Sequence, residues 1–295
     1  MNPNCIYDIN GQDGSSSKKR DDELNGIIHN FRIPLSKSKE QTWQSILEKL
    51  DEQQRAMTIP IISVVLKMAA SLLILLAMST SIWIWGYGKM NIFCPKGQHI
   101  TQILPDSSQI QMNADTRISY NKVLWTVTRK VFINGEALFK VKKGKQFDVV
   151  ADLATTSVMG TTFDVYARGG KVKVSCIEGQ VSVQSNRSKS KVILTAGHNT
   201  QVINQVLSAP EVAIKHDEIA WTFGEFYFTN CALNEVFKEV ERQFNVEITF
   251  RCAEKRFYTG YFNAKSLNDA LRLICLPMDL SYNITEKSIE IKQKQ

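Results

Sequence analysis

Histidine is scarce in this 295-residue chain: His29, His99, His198 and His216 stand far apart, with no spacing that would gather metal ligands. There is no GxSxG elbow, no HExxH pair and no P-loop, so three widespread catalytic chemistries find no carrier. Two S-x-x-K matches, Ser36–Lys39 and Ser188–Lys191, lie in Ser/Lys-rich polar stretches without the further motifs of the penicillin-binding enzymes. Gly169-Gly170-Lys171 reads as a hairpin turn and not as a phosphate cradle. Cysteine is sparse too. The six residues, Cys5, Cys94, Cys176, Cys231, Cys252 and Cys275, include no CxxC pair, and their spacing suggests neither a metal site nor a dense disulfide framework. A bridge such as Cys231–Cys252 is left open, while Cys176, on one strand face with Val172 and Val174, reads as a small buried hydrophobe. The net charge of +7 divides into −1 over residues 1–58 (8 Lys/Arg against 9 Asp/Glu), +1 over 59–85 and +7 over 86–295 (27 against 20). The basic residues alternate with apolar ones along strands, as on a solvated sheet face, which argues against a nucleic-acid groove. No catalytic residue, cofactor or metal is expected, and the chain reads as no enzyme.

Long apolar runs are also few, and the one present organises everything else. Ile59–Trp85 carries a single charge, Lys67, and the 18 residues from Met68 to Trp85 carry none. That is close to the ~20 residues a helix needs to cross a bilayer core of about 30 Å. Lys67 can snorkel to the headgroups, Pro60 suits a first helical turn, and Trp83, Trp85 and Tyr87 form an interfacial aromatic belt. A cleaved signal peptide would lie within the first 15–30 residues, and a core helix is rarely apolar on every face. Lys39, Lys49 and Arg55 before the span outnumber Lys89 and Lys96 after it, a thin bias toward a cytoplasmic N-terminus.

Residues 1–30 are polar and read as disordered. From about Lys39 to Arg55, Trp43, Ile46, Leu47 and Leu50 fall at i, i+3, i+4 and i+7 and make one apolar stripe on a short helix. A segment this short has no core of its own, so the stripe points to a partner's groove or the bilayer surface. A solvated, partly formed helix is the alternative. Beyond the span the period becomes 2. Val131, Ile133, Gly135, Ala137, Phe139 and Val141 share one face of a strand, and Asn134, Glu136 and Lys140 the other; Lys171–Cys176 and Gln180–Gln184 repeat the pattern. This predicts an all-β sandwich, barrel or β-roll over 95–208. After Ser208-Ala209-Pro210 the helical period returns. Leu233, Val236, Phe237, Val240 and Phe244 form one helical face, and Ser266 opens a second helix presenting Leu267, Ala270, Leu271 and Ile274. With the intervening strands the order is β-α-β-β-α-β-β, a small α+β module over 209–295.

The motifs Leu104-Pro105-Asp106-Ser107-Ser108, Gly135-Glu136-Ala137-Leu138-Phe139 and Met159-Gly160-Thr161-Thr162-Phe163-Asp164-Val165, with others in order between and after them, resemble those of the FecR-type (iron-dicitrate sensor) family of membrane-spanning anti-sigma regulators, Bacteroidetes-type members especially. Leu104-Pro105-Asp106-Ser107-Ser108 with Met112-Asn113-Ala114 resembles its LPDGS…LNA block. Arg129-Lys130-Val131 through Gly135-Glu136-Ala137-Leu138-Phe139-Lys140-Val141 resembles R-x-V…GEAFFxV, and Gln146-Phe147-Asp148-Val149 the PFxV position. Met159-Gly160-Thr161-Thr162-Phe163-Asp164-Val165 matches LGTxFxV; Glu178-Gly179-Gln180-Val181 and Leu194-Thr195-Ala196-Gly197 supply the EGxV and LxxG turns. Trp221–Phe228, Leu233 and Glu241-Arg242 resemble the start of the family's C-terminal domain, itself similar to the short N-terminal module of secretins and TonB-dependent receptors. The departures are Ser107 for Gly, Gln146 for Pro and Cys231 where Pro is common; the first bears on the turn, since Gly would reach positive φ cheaply.

The resemblance implies a single-pass inner-membrane protein with four parts. These are a cytoplasmic tail (1–58), a span (59–85), a periplasmic β-roll or sandwich-like FecR domain (95–208), and a receptor-docking α+β domain (209–295). It further implies that Trp43, Ile46, Leu47 and Leu50 contact an extracytoplasmic-function sigma factor in the cytoplasm. The C-terminal domain would meet the signalling domain of a TonB-dependent outer-membrane receptor, with an iron chelate or a glycan as inducing ligand. Site-specific and intramembrane proteases would relay the signal. The competing reading is a membrane-anchored periplasmic binding or adhesion module with no sigma factor partner; an inert anchor would not need a Trp-bearing amphipathic helix.

Overall fold

The computed structural model describes residues 38–213, 218–250 and 255–294, so the polar N-terminus and Cys252 lie outside the described residues. Contacts divide the chain into Met1–Leu76 and Ala77–Gln295. Helix α1 runs from Lys39 to Tyr87. It opens on a reciprocal cap: the Gln41 N–H donates to Ser38 Oγ (3.2 Å) and the Ser38 N–H to Gln41 Oε1 (3.1 Å). The sequence predicts a short helix ending near Arg55 and a separate span with Pro60 in its first turn. Instead one helix continues through Pro60. No glycine lies between Lys39 and Trp85, and long stretches of helix on either side of the proline carry the chain past the one lost backbone bond (~3 kcal/mol in a helix interior), so the helix does not end there. Ile61–Ile84, 24 residues with no burial, is long and apolar enough to cross a membrane. At 1.5 Å per residue it spans about 36 Å. Trp83 is exposed as an interfacial residue would be, and the side chains of Trp85 and Tyr87 lie outside the described set.

The strands that follow are β1 (Lys89–Cys94), β2 (Ile100–Ile103), β3 (Gln109–Met112), β4 (Thr116–Asn121), β5 (Arg129–Lys140), β6 (Phe147–Val150) and β7 (Ala154–Val158). Then come β8 (Thr162–Arg168), β9 (Lys171–Glu178), β10 (Gln180–Ser185), β11 (Lys191–Thr195), β12 (His198–Ile203), β13 (Val206–Leu207) and β14 (Glu211–Val212). They form two layers that share β5. Its first half pairs with β4 and β6, its second with β3 and β8. One layer runs β1-β4-β5-β6-β7-β10-β11, the other β2-β3-β5-β8-β9-β12-β13. The alternation read in β5 holds: Val131, Ile133, Ala137 and Phe139 are buried in a core with Phe147 and Phe163, and Cys176 joins it. Phe139 stacks on Phe163 at 5.1 Å. The sandwich-like all-β expectation is met.

The turn before β3 answers the Ser107 departure. Ser107 sits at φ 64, the left-handed region, and its N–H bonds the Leu104 carbonyl (2.9 Å). Asp106 holds the turn: Oδ1 accepts from the Ser108 N–H (3.0 Å), and Oδ2 accepts from Ser108 Oγ (2.9 Å) and from the Arg129 guanidinium. The backbone geometry that glycine favours is therefore kept, with serine paying the steric cost. Ser107→Gly is expected to raise stability by about 1 kcal/mol, less whatever glycine loses through unfolded-state freedom. A fall in thermal midpoint would contradict this.

The second domain comprises β15 (Glu225–Ala232), α2 (Leu233–Phe244), β16 (Glu247–Phe250), β17 (Phe257–Asn263), α3 (Leu267–Cys275), β18 (Leu280–Thr285) and β19 (Ser288–Gln293), the element order expected. β15 pairs with β17, and β19 lies between β16 and β18. Leu233, Val236, Phe237 and Val240 of α2 and Ala270, Leu271 and Ile274 of α3 fill its core, and Ser266 Oγ caps α3 by accepting from the Asp269 N–H (3.2 Å). Leu138 of β5 belongs to this second core, so the two domains share apolar contact.

Candidate functional surfaces

On α1 the four stripe residues are exposed: Trp43 at 64%, with Ile46, Leu47 and Leu50 between 43% and 53%. Helical spacing places them on one face, and a tryptophan left open to solvent forgoes the burial that usually accounts for its presence. Exposed apolar side chains clustered in this way form a contiguous apolar patch.

Sequence reasoning missed a second feature, a polar network joining the two domains. Glu136 shares a strand face with Leu138, and that face, expected to be solvated, is covered in its second half by the C-terminal domain. Asn113 Nδ2 donates to Glu136 Oε2 (2.6 Å); Gln243 Nε2, on α2, donates to Asn113 Oδ1 and to Glu239 Oε1, both at 2.8 Å. Arg242 completes the chain by pairing with Glu239 (2.5 Å). Nearby, Trp221 Nε1 donates to Asp164 Oδ1 (3.2 Å), and His99 meets both the Trp221 ring edge-on (5.5 Å) and Gln243 Oε1 (3.2 Å). The motif residues Asn113, Glu136 and Asp164 thus converge on this interface. Their signal in the sequence was polarity without local purpose, in motifs whose apolar members already account for the fold.

Burial sets the electrostatics here. It pushes the Glu136 carboxyl up to about 7, aided by the neighbouring Glu239 charge. Asp164 is likewise raised, by burial and then by Glu136. Burial also acts to raise Glu239, but Arg242 and Arg168 more than offset it and hold that carboxyl below the usual range. Beside the network lies a cleft of about 560 Å³ lined from both domains, including Tyr166, Lys171, Lys173, Phe226 and Phe228. The thiols of Cys176 and Cys275 are pushed up by burial to about 11, which keeps them protonated and unreactive near neutrality. Cys231 carries a free thiol, and Cys252, the partner left open by the sequence, lies outside the described residues. Among the described residues no cluster of His, Cys, Asp or Glu is arranged to hold a metal ion.

Residues 91–182 match the family model described as FecR protein, and residues 225–291 match FecR, C-terminal. Two crystal structures of a proposed anti-sigma factor from Parabacteroides distasonis ATCC 8503 are similar to the chain. They were determined at 2.50 and 1.65 Å and give TM-scores of 0.64 and 0.63. In each case the identity is 25%, and the match covers 70% of this chain and 100% of the other. No curated protein matches the chain.

Proposed function

The chain belongs to the FecR family, and from that premise we propose that it is a transmembrane anti-sigma factor that binds a cytoplasmic extracytoplasmic-function sigma factor through α1. The observation that carries this reading is the exposed Trp43, Ile46, Leu47 and Leu50 stripe on a helix that leads directly into a membrane-length run. Aromatic anchors seated in apolar grooves commonly dominate such interfaces. The tail then lies in the cytoplasm and both folded domains in the periplasm, with Ile61–Ile84 in the inner membrane.

In this reading the C-terminal domain receives the signalling domain of a TonB-dependent outer-membrane receptor. Among the described residues, β16 and β18 each pair on one side only with β19, so either edge could accept a strand by β-augmentation. A single span transmits a rigid rotation poorly. Regulated cleavage outside the membrane, followed by intramembrane proteolysis, releases the tail instead. If the tail keeps its full length on induction, the proteolytic relay is wrong.

The decisive experiment uses residues 1–58 as bait in the native cytosol. Trp43→Ala combined with Leu47→Ala is expected to weaken capture of an alternative sigma factor by more than about 100-fold, since two buried anchors are each worth roughly 2 kcal/mol. Membrane insertion of the full chain should be unaffected. Unchanged capture would reject this face; capture of no sigma factor would reject the anti-sigma reading.

A further inference from the structure

The turn after β4 is fastened to the end of the membrane-length helix. Asn121 Nδ2 donates to the carbonyl of Ile84 (3.1 Å), the last residue of the apolar run, and the Lys122 N–H bonds the Gly88 carbonyl (2.8 Å). Asn121 Oδ1 accepts from the N–H groups of Val123 (2.9 Å) and Leu124 (3.0 Å). The 3-10 turn Leu124–Thr126 is held from inside by Trp125, buried between Tyr120 and Phe147 with ring centroids 5.3 and 5.8 Å away. Val123 and Val127 face outward, 39% and 73% exposed. A rigid turn thus holds two apolar tips beside the point where the chain leaves the bilayer.

Lysines flank those tips. Lys145 Nζ reaches the Thr126 carbonyl (3.3 Å), and the Arg129 guanidinium bonds the carbonyls of Lys142 (3.0 Å) and Lys145 (2.6 Å), which sets the loop over residues 141–146 against the same turn. Lys122, Lys130, Lys142, Lys143 and Lys145 are all exposed. From Arg117 to Gln146 the chain holds eight Lys/Arg and one acid, Glu136, which is engaged in the inter-domain network. Of the acids near this stretch, Asp106 pairs with Arg129 and Asp148 accepts from Gln146 and Ser157. This stretch of the chain is therefore strongly basic, and the hydrogen bonds of Lys145 and Arg129 bring its two ends to the same turn.

Apolar tips flanked by exposed lysines suit a leaflet surface: the tips enter the interface and the ammonium groups draw anionic headgroups. We propose that Val123 and Val127, with Lys122, Lys142, Lys143 and Lys145, form a docking surface for the anionic phospholipid headgroups of the leaflet at the C-terminal end of the span. This contact gives the first domain a second attachment to the bilayer besides α1 and restrains it from swinging about Gly86 and Gly88.

The test is lysine footprinting of the full chain in vesicles at low protein density, with a membrane-impermeant acylating reagent and mass-spectrometric readout. In phosphatidylglycerol vesicles, Lys122 and Lys145 should react roughly fivefold more slowly than in phosphatidylcholine vesicles. Lys189, at the far edge of the β1–β11 layer, should not change. The protection should vanish at about 0.5 M salt, where the Debye length falls to a few Å, and in Val127→Asp, whose exposed site should leave the thermal midpoint unaltered. Equal reactivity in the two lipids overturns the proposal. Protection that grows with the protein-to-lipid ratio also overturns it and assigns the face to contact between copies of the chain.

Discussion

Gly135→Ala is expected to destabilise the first domain by about 4 kcal/mol and lower its thermal midpoint by roughly 10 °C or more. Gly135 lies where β5 passes from one layer to the other, at φ 131, outside the range that side-chain-bearing residues normally adopt. A Cβ there would stand 2.5 Å from Thr116 Oγ1 and 2.7 Å from Thr116 Cα. The second distance is the serious one, because a backbone atom of a paired strand cannot rotate away. Thr116 is itself fixed: its hydroxyl donates to the Glu136 carbonyl and accepts from the Glu136 N–H, each at 3.1 Å. Strain at positive φ accounts for about 1–3 kcal/mol and forced overpacking for a similar amount. Gly197→Ala is the control. At φ 79 with nothing within 4 Å of its Cβ, it should suffer the backbone strain alone. If the two variants unfold at the same temperature, steric closure at the crossing between layers is not what the glycine serves.

How legible such features are depends on the distance over which they are determined. The β5 alternation, the α2 and α3 stripes and the Ser266 cap are local patterns, and each is found where the sequence places it. The continuity of α1 through Pro60 was hidden because a proline after a polar segment reads as a beginning, and only the absence of any other breaker argues otherwise. The inter-domain network was out of reach for a different reason. Asn113 and Gln243 stand 130 residues apart, and nothing in the period of either segment says they meet. Glu136 could be assigned correctly to a face of its strand, but not to the domain covering that face. The exposed Val123 and Val127 carry no periodic signal at all, since a turn that meets a membrane has neither helical nor strand spacing. The apolar stripe of Trp43 was fully legible as a pattern, and its exposure in the structure adds that nothing in its own segment buries it.

Glu136→Gln and Glu239→Gln should change stability in opposite directions, although both residues belong to one network. The Glu136 carboxyl sits at about 7 in the folded chain against 4.5 when free, so the folded state binds the extra proton between those values. Its contribution is full below pH 4.5 and is lost as pH rises through 7, a change of about 3 kcal/mol at 1.36 kcal/mol per unit. Glu239 is held below 4.5, so its contribution is present above that value and is lost as pH falls through the lower one. Glutamine at position 136 can still accept from Asn113 without carrying the charge. It should therefore raise stability at pH 8 by up to about 3 kcal/mol and leave it nearly unchanged at pH 4. Glutamine at position 239 leaves Arg242 buried without its counter-charge, and should cost about 3 kcal/mol at pH 8, the cost shrinking as acid protonates the native carboxyl. Thermal unfolding of the full chain in detergent at pH 3, 4, 6 and 8 resolves the two limbs. A loss at pH 8 for Glu136→Gln would mean that Arg168 holds its carboxylate ionised against both its burial and the repulsion from Glu239. The opposite signs would instead identify Glu136 as a proton-binding carboxyl at the seam between the domains, kept so first by its burial and then by the fixed charge of Glu239.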